Sequence, residues 1–159
     1  MTRSYAALPQ MNMGFAGAKL AILTDGAVLT LLRDDDPRIR YPGYWDLPGG
    51  GREAGETPLA CALRETREEL GLDLAPAQIC WGASYGSGAA RTWFFVARAD
   101  DDISARVVFG NEGQRWTAMK ISRFIAHEGV VPHFRARLRE YLAAQSPQEK
   151  PPASWGGGR

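Results

Sequence analysis

The stretch over residues 50–72, GGREAGETPLACALRETREELGL, limits the fold more than any other part of the chain. Thr57 is a good helix N-cap. Pro58 suits the first helical position, where an N–H would have no partner. Gly71 suits the left-handed residue that ends a helix. The pattern therefore predicts a helix over residues 58–70. At 100° per residue, Glu68 lies about 60° to one side of Glu65 and Glu69 about 40° to the other. Leu59, Leu63, Thr66 and Leu70 gather about 130° away, as a stripe that must face a core. The acids are expected to form one face turned away from that stripe.

Such crowding is unfavourable by itself. Like charges one turn apart repel by a few tenths of a kcal/mol. Glu68 and Glu69 also lie near the C-terminal end, where the helix dipole disfavours anions. A hard divalent cation such as Mg²⁺ or Mn²⁺ would reward the placement, because it takes carboxylate and carbonyl oxygens. Taken alone, the three acids are also consistent with a solvated face whose ion-pair partners are Arg64 and Arg67.

The rest of the chain supplies a sheet and a second helix. Residues 18–24 and 27–33 are apolar, strand-like runs. Asp25-Gly26 between them is a hairpin signal in which both turn residues favour positive φ. Residues 34–44 form a polar loop. Residues 45–47 suggest a short strand, followed by a turn at Pro48-Gly49-Gly50-Gly51. Further strands are expected at 79–85, 92–99, 106–109 and 115–119. A helix is expected over 132–144, with Phe134, Leu138 and Tyr141/Leu142 as its apolar stripe. Hairpin-linked strands and two separated helices indicate an α+β fold, with helices on both faces of a mixed sheet. One domain over residues 1–145 is expected, with a disordered Pro/Gly-rich tail at 146–159.

Composition excludes several classes. The 159 residues carry 19 basic and 18 acidic side chains, a net charge of +1, so nothing global favours nucleic acid or membrane partners. There is no signal-peptide pattern and no apolar run near the roughly 20 residues of a membrane span, so a cytoplasmic protein is expected. Cys61 and Cys80 lack the partners of a zinc site and are expected to be reduced. The Asp34–Asp36 and Asp100–Asp102 runs read as solvated turns. His127 and His133 read as surface or structural residues.

The spacing Gly50-x5-Glu56-x7-Arg64-Glu65-Thr66-x-Glu68-Glu69-x-Gly71-Leu72 resembles the Nudix box, G-x5-E-x7-R-E-U-x-E-E-x-G-U. Thr66 is a departure, since U is a bulky aliphatic, but it keeps a methyl group on the apolar side. Glu112-Gly113-Gln114 followed by Trp116 is similar to the MutT-like branch. The resemblance implies an α/β/α sandwich and metal-dependent hydrolysis of a nucleoside diphosphate linked to another group. It implies that Glu65, Glu68, Glu69 and the Gly49 carbonyl hold Mg²⁺ or Mn²⁺. It further implies that Arg64 orients the carboxylates, that Glu56 supports Arg64, and that Glu65 acts as base in some members. Glu112 would reach the metal or activate water. Gly50 and Gly71 complete the box.

The substrate is less constrained. A small nucleotide is expected, a (d)NTP or modified NTP first. NDP-sugars, ADP-ribose, dinucleoside polyphosphates and a non-catalytic sensor are the alternatives. Arg33 is the candidate for phosphate binding. Trp81 and Tyr85, with Trp93 and Trp116, are the candidates for stacking on a base. The MutT-like branch reads oxidised guanine with an asparagine two residues before the proline of the last helix. Val130 stands there, which argues against that substrate. Enzymes of the family are often homodimers, but no apolar stripe here compels one.

Overall fold

The computed structural model describes residues 14–145, so the expectations for the N-terminal 13 residues and for the tail at 146–159 lie outside it. The mixed sheet is built from β1 (Gly17–Leu23), β2 (Ala27–Leu32), β3 (Trp45–Asp46), β4 (Gly49–Gly51), β5 (Ile79–Tyr85), β6 (Thr92–Arg98) and β7 (Arg115–Lys120). Three helices complete it: α1 (Pro58–Leu70), α2 (Ile121–Ala126) and α3 (Pro132–Gln145). The strand order is β3-β2-β1-β6-β5, with β4 added to β1 and β7 to β2. β1 and β6 run parallel; the other pairs are antiparallel.

Side chains alternate across this sheet, as strand geometry requires. Leu20, Ile22, Phe95 and Ala97 pack with Leu59, Ala62 and Leu70 of α1. Ala21, Leu23, Phe94 and Val96 face the other way and pack with Phe134, Leu138 and Tyr141 of α3. The result is the expected three-layer α/β/α arrangement. The first helix begins and ends as predicted: Thr57 accepts the Ala60 N–H, and Gly71 closes it in the left-handed region at φ 64°.

Four expectations change. Gly49–Gly51 is a strand rather than part of a turn, paired with Gly17–Lys19. It has no side-chain periodicity to betray it. Residues 106–109 are not a strand: a 3₁₀ segment, Asp101–Arg106, runs into a loop that docks on the end of α1. In the β1–β2 turn only Gly26 has positive φ, at 77°. The Asp25 N–H is donated to the Asp101 carboxylate at 2.9 Å, which ties that turn to a neighbouring segment. Finally, α2 was not foreseen; it buries only Phe124 and is too short to show a period.

Candidate active site

The acidic helix meets β4, and the glycines of β4 decide how closely. A Cβ on Gly49 would stand 2.2 Å from the Ala18 carbonyl oxygen, and one on Gly17 would stand 2.5 Å from that of Gly50. Without side chains, β1 and β4 close up, and β4 comes to lie beside α1. Glu65 and Glu69 are consequently half-buried beside it, while Glu68 stays exposed. The expected single face turned wholly away from the core is corrected here, because β4 covers that side of the helix. A Cβ on Gly50 would come within 2.8 Å of the Glu65 carboxyl carbon.

Arg64 organises the carboxylates, as the resemblance implies. Its Nε donates to Glu56. Its Nη1 donates to Glu65 at 3.0 Å and to Glu68 at 3.2 Å, and its Nη2 to the Gly51 carbonyl at 3.0 Å. These bonds, the one to Glu56 first, drive the guanidinium pKa further up against the cost of burial. Burial is the largest single influence on Glu56 and opposes its ionisation, but the hydrogen bond and charge of Arg64, with smaller help from Glu53 and Cys61, together hold that carboxyl below its usual range. Cys61, buried beneath β4, is pushed up to about 11 by burial and then by Glu56, so it remains a thiol.

Glu69 has a different environment. Its Oε1 accepts the Gly49 N–H at 2.8 Å. Burial raises its pKa to about 7, with Lys19 and the Gly49 N–H opposing. Burial raises Glu65 as well, against the pull of Arg64. A proton or a cation would relieve both groups.

The loop after the 3₁₀ segment brings Glu112 to these acids. Val108 and Gly110 donate N–H groups to the Leu70 and Glu69 carbonyls, each at 2.9 Å, which satisfies the C-terminal end of α1. A Cβ on Gly110 would strike the Glu68 carbonyl oxygen at 2.4 Å, so only glycine allows this docking. Gln114 then donates its side-chain amide to the Arg33 carbonyl at 2.8 Å. Glu112 is exposed and makes no hydrogen bond or ion pair among the described residues.

Glu65, Glu68, Glu69, Asn111 and Glu112 line a cavity of about 190 Å³. A second cavity of about 350 Å³ shares Glu69 and Glu112 with it and adds Arg33, Ile39 and Asp46. Among the described residues no three His, Cys, Asp or Glu side chains converge at metal-binding geometry. Arg64 draws Glu65 and Glu68 to one side, while Glu69 bonds Gly49. The Gly49 carbonyl already accepts from Lys19 Nζ at 3.0 Å, leaving one lone pair. The donor chemistry still fits a hard divalent cation: four carboxylates share one small cavity, and two of them have pKa values raised by burial.

Sequence reasoning missed the buried ion triad beside this site. Asp46 accepts from Arg33 Nη1 at 2.7 Å and from Lys19 Nζ at 3.0 Å. Lys19 and Asp46 lie 27 positions apart, so no local pattern links them. Arg33, the candidate for phosphate binding, lines the larger of the two cavities beside the glutamates. The aromatic candidates fall elsewhere. Trp81 packs against Phe94 and Tyr141 at the edge of the core, and Trp93 stacks on Phe95. Tyr85 lies under Arg137, 4.1 Å from its guanidinium carbon. Neither Trp81 nor Tyr85 lines the cavities beside the glutamates. Val130 is buried and bridged to Trp45. His127 accepts the Gly129 N–H at 2.8 Å, a structural role as expected. His133 instead lines a third cavity of about 420 Å³, on the α3 side of β4.

The family model for the NUDIX domain matches residues 16–145, and the chain belongs to the Nudix family of hydrolases, which act on phosphoanhydride bonds. It is 45% identical over 132 residues to the nucleoside triphosphatase NudI of Escherichia coli O139:H28, covering 76% of this chain and 93% of that protein. It is 30% identical over 94 residues to Nudix hydrolase 25 of Arabidopsis thaliana, covering 46% of this chain but only 53% of that one. Among solved structures, the MutT protein of Methanosarcina mazei Go1 superposes with a TM-score of 0.67 at 20% identity, covering 87% of this chain and all of that one; it bears on the fold alone. Among the described residues, no helix is long and apolar enough to cross a membrane.

Proposed function

We propose that this chain hydrolyses a nucleoside triphosphate, modified or unmodified, with Mg²⁺ or Mn²⁺. The observation that carries the reading is a pair of neighbouring cavities: four carboxylates line one, Arg33 lines the other, and Glu69 and Glu112 line both. The likeness to NudI, a nucleoside triphosphatase, supports the substrate class.

Glu65, Glu68, Glu69 and the Gly49 carbonyl would hold the cation. Bound there, it would neutralise phosphate oxygens and acidify the attacking water. Arg64 keeps Glu65 and Glu68 beside the cavity, and cation binding would draw them from Arg64 toward Glu69. Arg33, braced by Asp46, offers its remaining N–H groups to the phosphates. Glu112 has no hydrogen-bond or ion-pair partner among the described residues and faces the same cavity, so it takes the proton of the attacking water.

The test is release of phosphate and pyrophosphate from a panel with Mg²⁺ or Mn²⁺: unmodified and oxidised (d)NTPs, ADP-ribose, NDP-sugars, dinucleoside polyphosphates and 5′-triphosphate RNA. Preference for a nucleoside triphosphate is expected. A preference for ADP-ribose, an NDP-sugar or a dinucleoside polyphosphate would replace the substrate class while leaving the reaction class intact. No hydrolysis across the panel, with metal still bound, would overturn the assignment of turnover to this site.

A further inference from the structure

The 420 Å³ cavity on the α3 side of β4 has a character that triphosphate hydrolysis does not explain. Lys19, Arg40, His133 and Arg137 line it, Phe134 supplies an apolar wall, and no carboxylate does so. Lys19 has its ammonium hydrogens engaged, donating to Asp46 and to the Leu47 and Gly49 carbonyls, each at 3.0 Å. Arg137 is not engaged in this way. Its guanidinium lies over the Tyr85 ring at 4.1 Å and near Phe134 at 5.7 Å, and it makes no hydrogen bond or ion pair among the described residues. Glu140, three residues along α3, is the natural partner for Arg137. It is held elsewhere: the Tyr85 hydroxyl donates to it at 2.6 Å. Among the described residues the Arg40 guanidinium makes no hydrogen bond or ion pair, and it lies 5.9 Å from the Tyr41 ring. The pKa of His133 is lowered by burial first, and then by the fields of Arg137, Arg40 and Lys19, with Asp46 opposing, so the cations converge on one place.

We infer that this pocket is an oxyanion subsite which holds a second phosphate of the substrate, a phosphomonoester remote from the hydrolysed bond, through Arg137 and Arg40. Two cations without carboxylate partners match a group that carries nearly two negative charges at neutral pH; a lone carboxylate carries one. The Arg137 fork can donate two parallel N–H groups to such a phosphate. Tyr85 keeps the fork available by occupying Glu140. The inference rests on the nucleotide reading above and makes the preferred substrate one phosphorylated at a point besides its scissile chain.

The test uses the whole chain in EDTA, with inorganic phosphate as the probe, followed by side-chain ¹H–¹⁵N NMR. Saturable shifts at Arg137 and His133 are expected. R137M should weaken binding about tenfold or more, the worth of a charged hydrogen-bonded contact. Y85F should weaken it several-fold, because Glu140 is then free to pair with Arg137. Unchanged affinity in both variants, or shifts that never saturate, would overturn the subsite. If R137M does not fold, R40M and Y85F carry the same comparison. With native metal, a ribose-phosphorylated NTP should show a KM about tenfold below that of the plain NTP, and R137M should erase the difference. A gain with a nucleoside tetraphosphate instead would place the second phosphate on the chain; no gain with either would overturn the inference. E69Q separates the two proposals: it should lower turnover by about two orders of magnitude or more yet still bind phosphate in the pocket. Full turnover in E69Q would count against the hydrolytic reading alone, and absent phosphate binding against the subsite alone.

Discussion

The two sides of β4 carry opposite chemistry. On the α1 side, carboxylates crowd together and one arginine, Arg64, reaches four of them. On the α3 side, Arg40 and Arg137 have no carboxylate partner among the described residues, and Glu140 is tied to a tyrosine. The acidic side is written in one continuous segment of sequence. The basic side is assembled from β1, the 34–44 loop and α3. A site with local spacing announces itself; a site made by tertiary assembly does not.

The acidic side should break most visibly. E69Q is expected to lower turnover by about two orders of magnitude or more with the fold intact, since a metal-binding oxygen is lost. Steady-state rates and circular dichroism check this, and full activity would remove Glu69 from the mechanism. E112Q should slow turnover by about 10²-fold, in line with loss of a general base. Its melting temperature should not move, because among the described residues Glu112 has no hydrogen bond or ion pair to lose.

The pH dependence of stability sharpens the contrast. With its pKa raised to about 7 by burial, folded Glu69 keeps a proton that the unfolded chain has released above about pH 4.5. The native state then binds more protons, so stability of the metal-free protein falls as pH rises from about 4.5 to 7, by up to about 3 kcal/mol. Urea denaturation across that range measures the slope. E69Q should flatten it, and Mg²⁺ should restore stability at the upper end.

The glycines give the smallest effects and separate sterics from chemistry. G17A sets a methyl group against the Gly50 backbone and should cost about 1–3 kcal/mol of stability. G50A meets only the movable end of Glu65, so it should cost under about 1 kcal/mol while weakening metal affinity. Denaturation and metal titration of the two variants would show whether the losses divide in this way.

How far the sequence could be read follows the same division. Thr57, Pro58 and Gly71 place α1 correctly because capping is local chemistry. The Glu112-Gly113-Gln114 stretch was legible as a unit, and Gln114 does fasten that loop to the end of β2. Gly49–Gly51 was hidden because strand signals reside in side chains and these residues have none. Nothing in the sequence pattern singled out Lys19; only the fold sets it against Asp46. Nothing singled out Arg137 either, and His133 read as a surface or structural residue. Trp81 and Tyr85 drew attention as base platforms, yet one belongs to the core edge and the other braces an arginine.

The partition between the two sides is a single extended backbone. At Gly50 the Glu65 carboxyl presses from one side, while the same residue lines the basic cavity on the other. A wall that thin insulates poorly. Added bulk at that position displaces a metal-binding oxygen in one direction and narrows the arginine pocket in the other, so the two chambers cannot be redesigned independently. An engineer wishing to change what this enzyme accepts would do better to work from α3, at Arg137 or His133, and leave the glycine partition as it is.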